Sequence, residues 1–174
     1  MWIGLRRRFC HIPRCFALEK DNKLKQILVV DDDPFILEGI KRGVRACYTV
    51  VAADSGEEGL RRLLDNGPFV AVVSDQHMPG LSGLEFLERA RSIAPETPRV
   101  MLTGFPSTDV LSDAINRVAA FRFLQKPVAR AELLAVLSDC DAAYAAATRA
   151  GASSAESAWI RDGLACADFD AEFA

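Results

Sequence analysis

Four clusters of reactive side chains are spread over about a hundred positions: Asp31-Asp32-Asp33, Asp75, Thr103 and Lys126-Pro127. Each follows a short apolar run. Carboxylates, a hydroxyl and an ammonium gathered at the ends of successive strands are what a magnesium-assisted phosphoryl site on an α/β sheet requires. The acids suit a hard cation, while the hydroxyl and ammonium suit phosphoryl oxygens.

The elements that must position them can be read from the spacing of apolar residues. Gln26–Val30 is a continuous aliphatic run, too short for a helix, as expected of a parallel strand covered on both faces. Phe69–Ser74, Arg99–Leu102 and Ala119–Gln125 repeat the pattern and end on Asp75, Thr103 and Lys126. Tyr48–Ala53 is a fifth strand with no reactive group at its end, so it belongs to one side of the sheet.

Between the strands the apolar spacing becomes that of amphipathic helices. Phe35, Ile36, Ile40 and Val44 form one stripe, with Asp33 as N-cap and Pro34 at the first helical position. Ser55 opens a second helix with Leu60, Leu63 and Leu64 on its buried face, closed by Asn66-Gly67-Pro68. Ser82 caps a third, bearing Leu84, Phe86 and Leu87 and stopping before Ala94-Pro95. Pro106-Ser107 begins a fourth with Val110, Leu111, Ala114, Ile115 and Val118. A fifth begins near Ala129 and runs into the alanine-rich stretch from Ala142 to Ala147.

Strand and helix thus alternate five times. That order predicts an α/β fold, a five-stranded parallel sheet doubly wound in the flavodoxin-like manner, (βα)5, with right-handed crossovers. Ligands of such sheets bind beyond the carboxyl ends of the strands, where all four clusters lie.

The expected domain spans residues 25–149. Residues 1–24 form a basic extension and 150–174 an acidic tail with room for one short helix. The chain carries a formal net charge of −3, which excludes a large basic nucleic-acid footprint. The charge is uneven: residues 1–25 hold seven Lys or Arg against Glu19 and Asp21, and residues 150–174 hold one Arg against five acids. No run reaches the length of a membrane span and the head lacks a signal-peptide core, so a cytoplasmic location is expected. The five cysteines are scattered and do not suggest a disulfide framework. Cys10, His11 and Cys15 have poor spacing for zinc and no second half-site.

The runs Val29-Val30-Asp31-Asp32-Asp33-Pro34, Ser74-Asp75-Gln76-His77-Met78-Pro79 with Gly83, Met101-Leu102-Thr103-Gly104 and Phe123-Leu124-Gln125-Lys126-Pro127 together resemble the receiver domain of bacterial two-component response regulators. The resemblance covers about residues 25 to 140. It implies that Asp75 accepts a phosphoryl group from a histidine kinase or a phosphotransfer protein. It implies Mg²⁺ held by Asp31, Asp32, Asp75 and the backbone carbonyl of His77. Thr103 and Lys126 would contact phosphoryl oxygens, and Thr103 with Phe123 would form the switch. The side chains of His77 and Phe105 would flank the phosphoryl group and limit the access of water.

On this reading the protein is a signalling protein rather than an enzyme, catalysing only its own phosphorylation and dephosphorylation. A downstream protein would read its state on the surface of the fourth helix, fifth strand and fifth helix. Whether that surface also forms a homodimer is left open. The residues around Asp113–Arg117 and Phe121–Pro127 are similar to receivers joined to cyclic-dinucleotide phosphodiesterase or kinase modules. No such module or DNA-binding domain is legible here, so a stand-alone receiver is expected. A phosphotransfer intermediate or phosphate sink is the alternative, and a phosphorylation-independent scaffold the third reading.

Overall fold

Every residue from Ile27 to Val30 is sealed from solvent, because the strand they form is covered on both faces. The structure, a computed structural model, describes residues 25–104 and 121–151. Among these described residues nine elements follow in order: β1 (Lys25–Val30), α1 (Pro34–Val44), β2 (Tyr48–Ala53), α2 (Gly56–Asn66), β3 (Ala71–Asp75), α3 (Gly83–Ile93), β4 (Arg99–Thr103), β5 (Arg122–Gln125) and α4 (Arg130–Gly151). The strands pair in parallel in the order β2-β1-β3-β4-β5. This is the doubly wound, flavodoxin-like sheet. Tyr48–Ala53 lies at its edge as expected, and strand order reverses between β1 and β3.

Alternation along the strands divides the core in two. Leu28, Val30, Val72 and Met101 face one way and meet Leu60 and Leu63 of α2 and Phe86 and Leu87 of α3. Ile27, Val29, Val73, Val100, Leu102 and Leu124 face the other way, against Ile40 and Val44 of α1 and Leu133 and Leu137 of α4. A one-residue slip of any central strand would exchange the two sets, so the register is strongly specified.

The helix starts follow the local chemistry. Asp33 accepts a hydrogen bond from the Phe35 N–H at 2.8 Å, with Pro34 at the first position. The Ser55 hydroxyl accepts from the Glu58 N–H. Ser82 and Glu85 form a reciprocal capping box. Each cap is worth about 1 kcal/mol.

Two residues expected on buried helix faces are not buried. Phe35 is 84% exposed and Leu64 is 52% exposed. At 3.6 residues per turn, Phe35 falls on the far side of α1 from Ile40 and Val44, and Leu64 lies about a quarter turn from the face of Leu60 and Leu63. Strand limits also shift: β3 begins at Ala71 rather than Phe69, and β5 at Arg122 rather than Ala119. Phe69 is nonetheless buried, and its carbonyl accepts a hydrogen bond from the Thr97 hydroxyl at 3.1 Å.

The helix expected after Pro106, and with it Phe105, lies outside the described residues. So do residues 1–24, including Cys10, His11 and Cys15, and the chain from 152 onward. The last helix continues through Gly151, two residues past the expected domain limit. Cys140 is a buried free thiol, whereas Cys47 is disulfide-bonded, a pairing that the scattered spacing did not announce. No described helix is long and apolar enough to cross a membrane.

Candidate functional site

The chain leaves β1 at Val30, and the Asp31 N–H still donates to the carbonyl of Ala53 at 3.2 Å. This extension of the ladder turns the Asp31 side chain into a buried position at the sheet's carboxyl end. Its Oδ1 accepts from the Asp33 N–H at 3.0 Å, and its Oδ2 accepts from Lys126 Nζ at 2.7 Å. Asp32 stands exposed beside it.

Asp75 is the last residue of the neighbouring strand and is 6% exposed. Its Oδ2 accepts from the His77 N–H at 2.8 Å, and its Oδ1 lies 2.7 Å from the same Lys126 ammonium. One nitrogen therefore bridges two buried carboxylates. Asp31 and Asp75 come from adjacent strands, and Lys126 is carried from the far edge of the sheet.

The loop after Asp75 is fixed at several points. The Gln76 N–H donates to the Leu102 carbonyl at 3.0 Å, and the Gly83 N–H donates to the Gln76 carbonyl at 3.1 Å. Gly80 has φ +75°, a conformation that glycine adopts without a steric penalty. A Cβ on Gly83 would fall 2.8 Å from the Asp75 carbonyl carbon and 2.9 Å from Gln76 Cα, so only glycine lets α3 start so close to the strand end. Met78 and Leu81 anchor the loop in the core. The His77 side chain stays exposed while its backbone points at Asp75.

Lys126 is held by its own backbone, whose N–H donates to the Thr103 carbonyl at 2.8 Å. The following bond to Pro127 is cis. Thr103 closes β4, is 2% exposed, and its hydroxyl has no hydrogen-bond partner. A buried hydroxyl left unpaired costs about 1–3 kcal/mol. Phe123, opposite Met101 in the β4–β5 register, is half-buried against the core cluster that contains Met101.

The charges are balanced against burial. Burial raises the Asp31 carboxyl above its usual range, and the neighbouring Asp75 adds to this; the hydrogen bond from Lys126 works against both. Burial alone would lower the Lys126 ammonium, but its hydrogen bonds to Asp31 and Asp75 outweigh that and raise it. Lys126 therefore remains a cation, and it compensates a pair of acids that would otherwise repel each other.

The donor set fits a hard cation. Two buried carboxylates already share one positive charge, and exposed Asp32 adjoins them. Among the described residues no three His, Cys, Asp or Glu side chains converge closely enough to form a cage by themselves. Magnesium does not need one, because it retains several waters and takes one or two carboxylates.

The sequence thus placed Asp31, Asp75, Thr103 and Lys126 at one end of the sheet, and the structure brings them together. It did not anticipate that Lys126 spans both carboxylates. Gln76 was passed over, although its Oε1 is the other buried side-chain oxygen without a partner among the described residues. Its position directly after Asp75 is the only signal that could have singled it out.

The family model described as response regulator receiver domain matches residues 27–138. The chain belongs to that family. Among curated relatives, response regulator MprA of Mycobacterium sp. strain KMS is 38% identical over 111 residues, covering 63% of this chain and 47% of that protein. The hydrogenase transcriptional regulatory protein HoxA of Cupriavidus necator is 30% identical over 106 residues, 61% of this chain and 22% of that protein. This receiver spans between about a fifth and a half of the curated relatives it matches. The receiver domain of an HD domain-containing protein from Pseudomonas fluorescens Pf-5 superposes with TM-score 0.67 at 29% identity, covering 71% of this chain and 99% of that one. Chemotaxis protein CheY4 of Vibrio cholerae superposes with TM-score 0.64 at 30% identity, covering 68% and 99%.

Proposed function

We propose that this receiver takes a phosphoryl group on Asp75 from a histidine kinase or phosphotransfer protein and signals by protein contact that depends on that modification. The observation that carries the reading is the single ammonium 2.7 Å from both buried carboxylates, beside a buried hydroxyl with nothing to bond. Such a site has more acid than base at rest, which leaves room for a cation, and has groups to spare for a phosphoryl ligand.

Asp31, Asp32, Asp75 and the His77 carbonyl are the residues that would hold Mg²⁺, which when bound neutralises the acids and the incoming oxygens. A carboxylate oxygen of Asp75 bonds to phosphorus as the donor's P–N bond breaks, and the electron pair leaves with the imidazole nitrogen, which is protonated. Lys126 supplies a point charge to one phosphoryl oxygen, and the Thr103 hydroxyl donates to another. The transition state spreads charge over the equatorial oxygens, so positioned charge and hydrogen bonds supply nearly all the catalysis. The acyl phosphate is labile to water, so the signal is erasable.

Thr103 moving toward the phosphoryl group, with Phe123 following, would alter the surface of the helix expected after Pro106, of β5 and of α4. A downstream protein would read that surface, in the cytoplasm. The receiver catalyses only its own modification and its reversal.

Acetyl phosphate with and without Mg²⁺, followed by intact-mass measurement, tests the reading. Wild type should gain one phosphoryl mass only with the metal, and Asp75→Ala should gain none. No gain by wild type under saturating donor would replace this proposal with a phosphorylation-independent scaffold.

A further inference from the structure

A crevice of about 100 Å³ opens between α1 and α4, lined by Gly39, Ile40, Gly43, Val128, Arg130 and Leu133. Ile40 and Leu133, both nearly sealed, make its floor apolar. Glycine is a poor helix former, yet two of them stand one turn apart on α1 here. A Cβ on Gly39 would meet nothing within 4 Å, and one on Gly43 only the Arg130 Cγ at 3.8 Å. Packing within the domain therefore requires neither glycine; their missing side chains keep the crevice open. The rim is basic, because Arg42 and Arg130 are both exposed. Arg130 Nε donates to the Gly43 carbonyl at 2.7 Å, which holds the guanidinium at the rim and engages one of its five N–H donors. Phe35, 84% exposed and one turn before Gly39, extends the apolar surface along α1.

Residues 152–174 of this chain carry the matching chemistry. They hold Trp159, Ile160, Leu164, Phe169 and Phe173, with five acids against one Arg. They also start within reach. At 1.5 Å per residue, α4 runs about 27 Å from the level of Leu133 to its end at Gly151. An extended chain advances about 3.3–3.6 Å per residue. The thirteen residues from Gly151 to Leu164 therefore span up to about 45 Å, while the nine to Ile160 leave almost no slack. Size narrows the choice further. An apolar cavity of about 150 Å³ admits benzene, so a smaller crevice suits an aliphatic side chain better than a ring.

We propose that the acidic tail of this chain returns along α4 and docks on the crevice, with the Leu164 side chain between Gly39 and Gly43. Asp162 and Asp168, on either side of Leu164, then lie against Arg42 and Arg130. The contact removes apolar surface of α1 from water and sets the acids of the tail on the cations of the rim. It stands independently of the reading of Asp75 as phosphoacceptor.

The tail carries one trypsin site, Arg161, three residues before Leu164, and docking should shield it. Cleavage there is followed in the full chain by intact mass, as the loss of residues 162–174. Gly39→Leu places a side chain in the crevice at a position whose Cβ meets no neighbour. Wild type should be cut about ten-fold more slowly than this variant, the order expected when the burial of one leucine is partly offset by ordering the tail. The ratio should shrink as salt is added. Equal rates in the two proteins overturn the docking. Protection of wild type that disappears on dilution overturns it as well, because the occupant of the crevice is then the tail of a second copy.

A second measurement does not depend on the folding of Gly39→Leu. Leu164→Ser in the full chain changes no residue of the sheet or its helices. The backbone amide signals of Gly39 and Gly43 in the NMR spectrum should move in this variant, while that of Gly59 on α2 stays in place. Gly39 and Gly43 signals that match wild type would overturn the docking.

Discussion

Two lysine–aspartate contacts sit at opposite ends of the same sheet, and they do different work. At the carboxyl end, Lys126 lies 2.7 Å from Asp31 and 2.7 Å from Asp75, both nearly sealed from water. At the amino end, Lys25 donates to both oxygens of Asp141 at 2.8 and 2.7 Å, with its own side chain 52% exposed. The distances are the same, so length does not distinguish them. What differs is burial and the count of charges. The lower pair is neutral and wet, so water can replace either partner. The upper cluster has two acids on one cation, and no water can take the place of Lys126 without leaving buried carboxylates face to face. A fold that retains such an arrangement keeps a position where added positive or phosphoryl charge has large consequences.

The most severe way to break the contrast is Lys126→Met. Leaving the buried Asp31–Asp75 pair uncompensated should cost roughly 3 kcal/mol of stability, read as a lower urea midpoint with unchanged slope. Added Mg²⁺ should restore part of the loss in the variant. An unchanged midpoint would mean that the acids relax into solvent, and that the upper cluster is no more demanding than the lower pair.

Much of this contrast was legible in the sequence and its decisive part was not. Short β-branched runs, helix caps at Asp33, Ser55 and Ser82, and the acids at strand ends are local features, readable within a few residues. Phe35 was misassigned because its apolar type was counted and its angle on the helix was not. The bridge from Lys126 to Asp31 joins residues 95 positions apart, and the contact of Lys126 with Asp75 depends on the order of the strands in the sheet. No window of sequence contains either relation. Residue types named the participants, but only the sheet order and register show which of them touch.

Alkaline titration sharpens the comparison from the lower end. Burial, with the nearby Asp141 charge adding to it, pushes the Tyr48 phenol from 10.0 up to about 12, and burial, with Asp139 adding to it, pushes the Cys140 thiol from 9.0 up to about 12. In the unfolded chain both groups lose their protons near the ordinary values. Between pH 9 and 12 the folded state thus holds more protons than the unfolded one, and stability falls as pH rises through this window. Urea midpoints should decline steadily above pH 9. Asp141→Asn should flatten the decline, because removing that charge lowers the folded value of Tyr48. A flat profile in wild type would show that these groups are hydrated in solution. The Cys140 thiol should also resist an alkylating reagent at neutral pH in the native state and react on unfolding.

The smallest expected effect is that of Lys25→Met. Exposed ion pairs contribute at most about 1 kcal/mol, screened further by salt, so the urea midpoint should fall slightly at low ionic strength and the difference should shrink as salt is added. The loss caused by Lys126→Met should persist in the same salt series, because ions cannot enter a buried cluster as freely as they reach a surface pair. If the two losses faded together, the carboxyl end would be as open to solvent as the amino end. The strained charge balance assigned to Asp31, Asp75 and Lys126 would then have to be replaced by ordinary surface pairing. If only the Lys25 loss fades, burial rather than contact distance separates the two ends of the sheet.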